Sequence, residues 1–197
     1  MTKRVVTVPL DVLSKMSATD AASRLIGSDL IRYIDGKQLI GRIVEVEAYD
    51  QNDPVSHSYH GKTARNAVMF GPAGFAYVYF TYGMHFCLNV VVGPKDSAAA
   101  VLIRALQPIQ GESIMLANRG YNKNLLNGPA RLTQALKIDK SLNGHDLSLA
   151  PLRLKLNPAI KSSDIKWGAR IGIKEKANNV KKWRAVLNDS AYLSRPL

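Results

Sequence analysis

Between residues 38 and 49 the chain reads QLIGRIVEVEAY, a run rich in Ile and Val whose successive side chains point to opposite faces of a strand. Strict alternation puts Ile43, Glu45, Glu47 and Tyr49 on one face and Ile40, Arg42, Val44, Val46 and Ala48 on the other. Just upstream, Asp35-Gly36 predicts a hairpin turn. Two more dense β runs, 75–81 and 85–92, are separated by Tyr82-Gly83, a pair suited to a two-residue type II turn with glycine at the positive-φ position. A further apolar strand is predicted over 99–106. Helical signals are fewer. Ser17 with Asp20 three residues on makes a weak capping box before an Ala-rich segment ending at Gly27, and 111–119 is closed by Gly120. The segment 129–137 opens on a proline, whose missing N–H suits the first helical position. Residues 51–74 form a long polar loop, a rare feature in compact domains and usually a functional one. Strands, then helices, then short strands again predict an α+β fold with a mostly antiparallel sheet.

Composition narrows the class. The 197 residues show no internal repeat, low-complexity tract or linker, so a single domain over 1–197 is expected. With 46% hydrophobic and 21% charged residues the chain is globular rather than disordered or fibrous. Its one cysteine, Cys87, excludes an internal disulfide framework and a Cys-based zinc site, and fits a reducing compartment. No apolar run approaches the roughly 20 residues that span a bilayer, and the stretch after Lys3 and Arg4 is too short for a secretory signal. A cytoplasmic protein without membrane contact is expected, nucleoid-associated in a prokaryote, with the monomer as default.

Charge points to the partner. The formal net charge is +12, and residues 151–197 hold 11 basic against 3 acidic residues, interleaved with apolar ones as folded strands require. A polyanion is the expected ligand, although a basic surface can also be only a solubilising one.

Several residues carry chemistry. Glu45 and Glu47 interrupt an apolar strand, and Arg104, inside the apolar run VLIRAL, is the natural partner for a buried carboxylate. The pairing reads either as a structural ion pair or as a general base held ionised. Tyr77 and Tyr79 share a strand face with Tyr82 at the end, where an aromatic ring either folds back or is presented to stack on, or wedge between, bases. His57 and His60 hint at a metal, but the nearby acids build no convincing ligand set, so none is expected. Lys62, Arg65 and the Asn127-Gly128-Pro129 helix entry read as phosphate contacts.

Together, the blocks RIVEVEAYD, DPVSHSYHGKTARN, AYVYFTYGMHFCLNV, AVLIRALQP and NGPARLTQAL, in register from about Leu25 to Leu149 with a weaker ARIGI echo at 169–173, resemble the alkyladenine (3-methyladenine) DNA glycosylase family. That resemblance implies a curved sheet flanked by helices, similar to the C-terminal domain of formyltransferases. It also implies excision of alkylated and deaminated purines, such as 3-methyladenine and hypoxanthine, from double-stranded DNA by base flipping. Hydrolysis would leave an abasic site without strand cleavage, and no cofactor is implied. On matching positions, Glu47 is the general base and Arg104 helps hold its water. Tyr49, His57 and Tyr79 wall the base pocket, Tyr82 fills the vacated space in the duplex, and Asn89 crowds the amino group of guanine. His60, Lys62, Ala64 and Ala169 depart from the family pattern, the first three where two arginines and a proline are usual. Lysine cannot reproduce a guanidinium clamp on phosphate, so either weaker DNA affinity or affinity carried more by the basic tail is expected. The alternatives are a non-catalytic nucleic-acid-binding domain of the same topology, or a metal-dependent nuclease built on Glu45 and Glu47.

Overall fold

In the computed structural model, which describes residues 9–81, 83–173 and 181–197, the alternating runs become one eight-stranded sheet. β1 (Asp29–Ile34) and β2 (Lys37–Asp50) are joined at Asp35-Gly36, with φ of 49° and 73°, the mirror-image turn whose twist matches that of the strands it connects. Next come β3 (Ala76–Thr81), β4 (His85–Val91), β5 (Ala99–Gln110), β6 (Leu152–Lys155), β7 (Ile165–Gly168) and β8 (Arg184–Leu187). Their spatial order is β3-β4-β5-β2-β1-β6, with β8 bridging β2 and β7, and every ladder described is antiparallel. β2 is long enough to pair with β1 over residues 37–42 and with β8 over 45–47, and the sheet curls into a half-barrel.

α1 (Ala18–Leu25) starts where the capping signal predicts: the Ser17 hydroxyl accepts from the Asp20 amide at 3.1 Å. Ala18, Ala21, Ala22 and Leu25 form its buried stripe. α2 (Glu112–Asn118) and α3 (Pro129–Ala135) follow β5, and α3 ends two residues before its predicted limit because Lys137 turns left-handed at φ 47°. One apolar cluster, reaching from Leu13 to Ala185, packs these helices against one face of the sheet.

The opposite sheet face corrects the simple alternation. The β2–β5 register runs Ile43 to Leu106, Glu45 to Ala105 and Val46 to Ile103, leaving Val44 and Arg104 without ladder partners. This paired bulge moves the period by one residue. Ile43 therefore joins Val46 and Ala48 in the core rather than the face of Glu45, Glu47 and Tyr49. Likewise Ile103 and Leu106, three apart, both reach the core, and Arg104 between them points the other way.

The β3–β4 hairpin differs from its prediction in length. Thr81 pairs with His85, so the connection spans three residues, 82–84, not two. Gly83 has φ 68°, the Met84 amide donates to the Thr81 carbonyl at 3.3 Å, and Met84 is exposed. Tyr82 itself lies outside the described residues.

Candidate active site

A cleft of about 320 Å³ opens on the face that β2 to β5 turn away from the core. Its floor is ionic. Glu47 and Glu45, both fully buried, share Arg104: Nη1 lies 3.2 Å from Glu47 Oε1 and Nε 3.0 Å from Glu45 Oε1. Glu47 Oε1 also accepts from the Ile171 backbone N–H at 2.7 Å, and Oε2 from the Tyr49 hydroxyl at 2.8 Å. Burial and the neighbouring Glu47 charge push the Tyr49 phenol far above its ordinary range, so it stays a donor. A carboxylate offers about four lone-pair directions, and among the described residues three are used, leaving one for water. Tyr49 and Ile171 cap the carboxylate: it borders the cleft but has no surface open to bulk water in this state.

The walls are aromatic. The His57 and Tyr79 rings meet edge to face at 4.5 Å, and Tyr77 lies 5.4 Å from Tyr79, so these three form one continuous wall. His57 Nδ1 and the Tyr77 hydroxyl share a hydrogen bond of 2.9 Å. Burial and then the nearby Arg65 hold the imidazole below its ordinary value, so it is neutral at pH 7. Burial drives Tyr77 up to about 12 and Tyr79 higher still. Tyr49 supplies a separate ring, tied to the floor by its hydroxyl and covered by the Arg170 guanidinium 4.8 Å from the ring centre.

Asn89, in register with Tyr77, is buried in the cleft and donates from Nδ2 to the Tyr77 carbonyl at 3.0 Å. Its oxygen carries the remaining polarity of that wall. Glu47, Arg104, Tyr49, His57, Tyr79 and Asn89 thus line one cavity, although they come from four strands and a loop.

The expected phosphate contacts lie outside it. Lys62 sits 5.9 Å over the Phe70 ring and Arg65 5.8 Å over Tyr79, each with its residue exposed on the loop that carries His57. Gly128 precedes α3 with an extended φ of 160°, and a Cβ there would meet only the Arg131 side chain at 3.5 Å. Local geometry therefore does not demand glycine at 128. His60 packs on Tyr59, with ring centres 5.0 Å apart. Among the described residues no three His, Cys, Asp or Glu side chains gather as a metal site.

Sequence reasoning missed five contributors. Ile171 acts through a backbone N–H, which no side-chain pattern reveals; only the ARIGI echo marks the segment. Arg170, in the same echo, reaches the Asp53 carboxylate and the Ala48 carbonyl, tying the loop that carries His57 to the strand that carries Glu47. Arg184 and Ser194 contact Glu45 from the far end of the sequence. Cys87, read only as a redox marker, lines the cleft beside Tyr79, with burial pushing its thiol up.

The family model described as methylpurine-DNA glycosylase matches residues 12–191. Among curated relatives, a protein of Carboxydothermus hydrogenoformans is 50% identical over 177 residues, covering 88% of this chain and 92% of its own. One from Rhodopseudomonas palustris is 48% identical over 182 residues (91% and 87%), and one from Francisella tularensis 44% over 192 (94% and 98%). All three are provisionally named 3-methyladenine DNA glycosylase.

Proposed function

Since the chain belongs to the methylpurine-DNA glycosylase family, we propose that it repairs duplex DNA by excising 3-methyladenine and related alkylated or deaminated purines, hypoxanthine among them. The observation that carries this reading is the position of Glu47, at the floor of an aromatic-walled cleft and fixed by donors on both oxygens.

A nucleotide rotated out of the helix costs a few kcal/mol of pairing and stacking, least where the base is damaged. Stacking on Tyr49 and on the His57–Tyr79 wall, worth about 1–3 kcal/mol per base, offsets this cost. Tyr82, which follows β3 in sequence, would fill the gap in the duplex, and Asn89 would crowd the amino group of guanine. Lys62, Arg65 and the Gly128 helix entry would meet phosphates, with the net charge of +12 supplying the long-range attraction.

For the chemistry, the electron pair of the glycosidic bond passes to the base as it leaves, and the sugar develops oxocarbenium character. Water then bonds to C1′ and gives its proton to Glu47. A purine methylated on N3 or N7 carries a positive charge, departs as a neutral molecule and needs no acid, whereas hypoxanthine departs as an anion and takes its proton from water. Glu47 would take the water at the lone pair its present donors leave open, or where the Tyr49 hydroxyl now sits once an entering base shifts that ring. The product is an abasic site with an intact strand.

The test is incubation with duplexes each carrying one lesion, with and without EDTA, followed by alkali. Base release with strand breaks appearing only after alkali supports the proposal. Breaks before alkali that vanish with EDTA would favour a nuclease, and lesion binding without release a non-catalytic binding domain.

A further inference from the structure

Glu45 stands two residues from Glu47 on the same face, yet it does not line the cleft. Its carboxylate is buried and takes four hydrogen bonds. Arg104 Nε, Arg184 Nε and the Ser194 hydroxyl donate to Oε1 at 3.0, 2.8 and 2.7 Å, and the Ser194 amide donates to Oε2 at 2.6 Å. A further link is indirect: Arg104 Nη2 lies 3.4 Å from the same Ser194 oxygen, so the hydroxyl touches both partners of the pair. Arg184 in turn donates to the Pro196 carbonyl at 3.3 Å and to the Arg195 carbonyl. Segment 194–196 thus ties Arg184 to Glu45 and, through Ser194, reaches Arg104 on the Nε and Nη2 side, while Nη1 meets Glu47.

A guanidinium is a planar fork whose donors keep fixed relative directions, so a partner that fixes Nε also fixes where Nη1 points. Arg104 sits at a bulge, without a ladder partner to define its backbone closely. Two carboxylates at one arginine also balance only if a second cation is near, and Arg184 provides it.

We infer that Glu45, braced by Ser194 and Arg184, is a positioning residue that aims the Arg104 guanidinium at Glu47. The inference rests on the glycosylase reading for its effect on rate but not for its effect on Arg104. Ser194, 149 residues from Glu45 in sequence, is thereby a remote determinant of the geometry of the catalytic pair.

The experiment compares the full chain with Ser194→Ala, Ser194→Thr and Glu45→Gln. It reads the Arg104 Nε–H resonance by 15N NMR, the single-turnover rate of base release from a lesion duplex, and the Kd for that duplex. Ser194→Ala removes one hydroxyl and serves if Glu45→Gln does not fold. The expected result is an Arg104 Nε–H that exchanges faster in Ser194→Ala, with release slowed by about tenfold and up to about a hundredfold. Kd should stay unchanged and Ser194→Thr should restore both signals. An unchanged Nε–H in Ser194→Ala overturns the inference, as does a loosened Nε–H with an unchanged rate. If the parent chain releases no base while Ser194→Ala still loosens Nε–H, the glycosylase reading fails and the bracing of Arg104 stands.

Discussion

The floor and the wall of the cleft are built by different means. The floor is a buried charge network whose bonds span 59, 124 and 139 residues of sequence, from Arg104, Ile171 and Arg184 to Glu45 or Glu47. The wall residue His57 is held locally: Asn66, nine residues on, donates to the His57 carbonyl at 2.7 Å and to the Gly61 carbonyl at 2.9 Å, and accepts from the Thr63 amide at 2.7 Å. A floor set by the whole fold keeps charges in place during a reaction. The loop part of the wall, held mostly by its own hydrogen bonds, can adjust to what enters with little disturbance of them.

That contrast can be broken at several points. Glu47→Gln keeps the shape and removes the base, so release should fall by roughly 10²–10⁴-fold while lesion binding persists; retained turnover in a single-turnover assay would show that another group does the chemistry. Arg104→Ala leaves two buried carboxylates facing one another with Arg184 alone, and should cost about 3–5 kcal/mol of stability. For a chain of this length that is on the order of a 10 °C fall in melting temperature, read by calorimetry. Asn66→Ala removes three loop hydrogen bonds of about 1 kcal/mol each, partly replaced by water. Proteolysis within 51–66 should accelerate and lesion affinity weaken, with melting nearly unchanged; a large fall in melting would mean the loop belongs to the cooperative core. Tyr77→Phe loses only the bond to His57, about 0.5–1.5 kcal/mol, seen as a several-fold weaker Kd at constant rate of release.

The smallest effect is a pH dependence. The folded value of His57 lies below the unfolded 6.5, so the unfolded chain binds the proton first. Its contribution to stability is complete above pH 6.5 and fades as pH falls through the folded value. Tyr77 acts in the other direction: its contribution holds up to pH 10 and is lost as pH rises towards about 12. Denaturant midpoints in Tyr77→Phe, followed between pH 9 and 12, should lose that alkaline slope.

The legibility of the sequence follows the same division. Asp35-Gly36, Ser17 with Asp20 and Pro129 each carry their instruction within a few residues, and each sits where its chemistry predicts. Arg104 could be paired with a carboxylate from sequence alone because an arginine in VLIRAL has few other ways to be buried. The side on which Ile43 falls was not legible, because the bulge depends on how two strands meet and not on either strand alone. Ser194 and Ile171 were not legible for a related reason: each contributes a group, an amide or a hydroxyl, that most residues of its kind also carry. Only the fold makes those groups particular.

Cys87 gives the cleft a handle of its own. It is the one thiol in 197 residues, and it faces the same cavity as Glu47 and Asn89. A maleimide or a fluorinated thiol tag attached to the native chain would therefore report from a single, known place. The rate at which such a reagent gains entry becomes a direct gauge of whether the cavity is vacant or filled, with no mutation introduced.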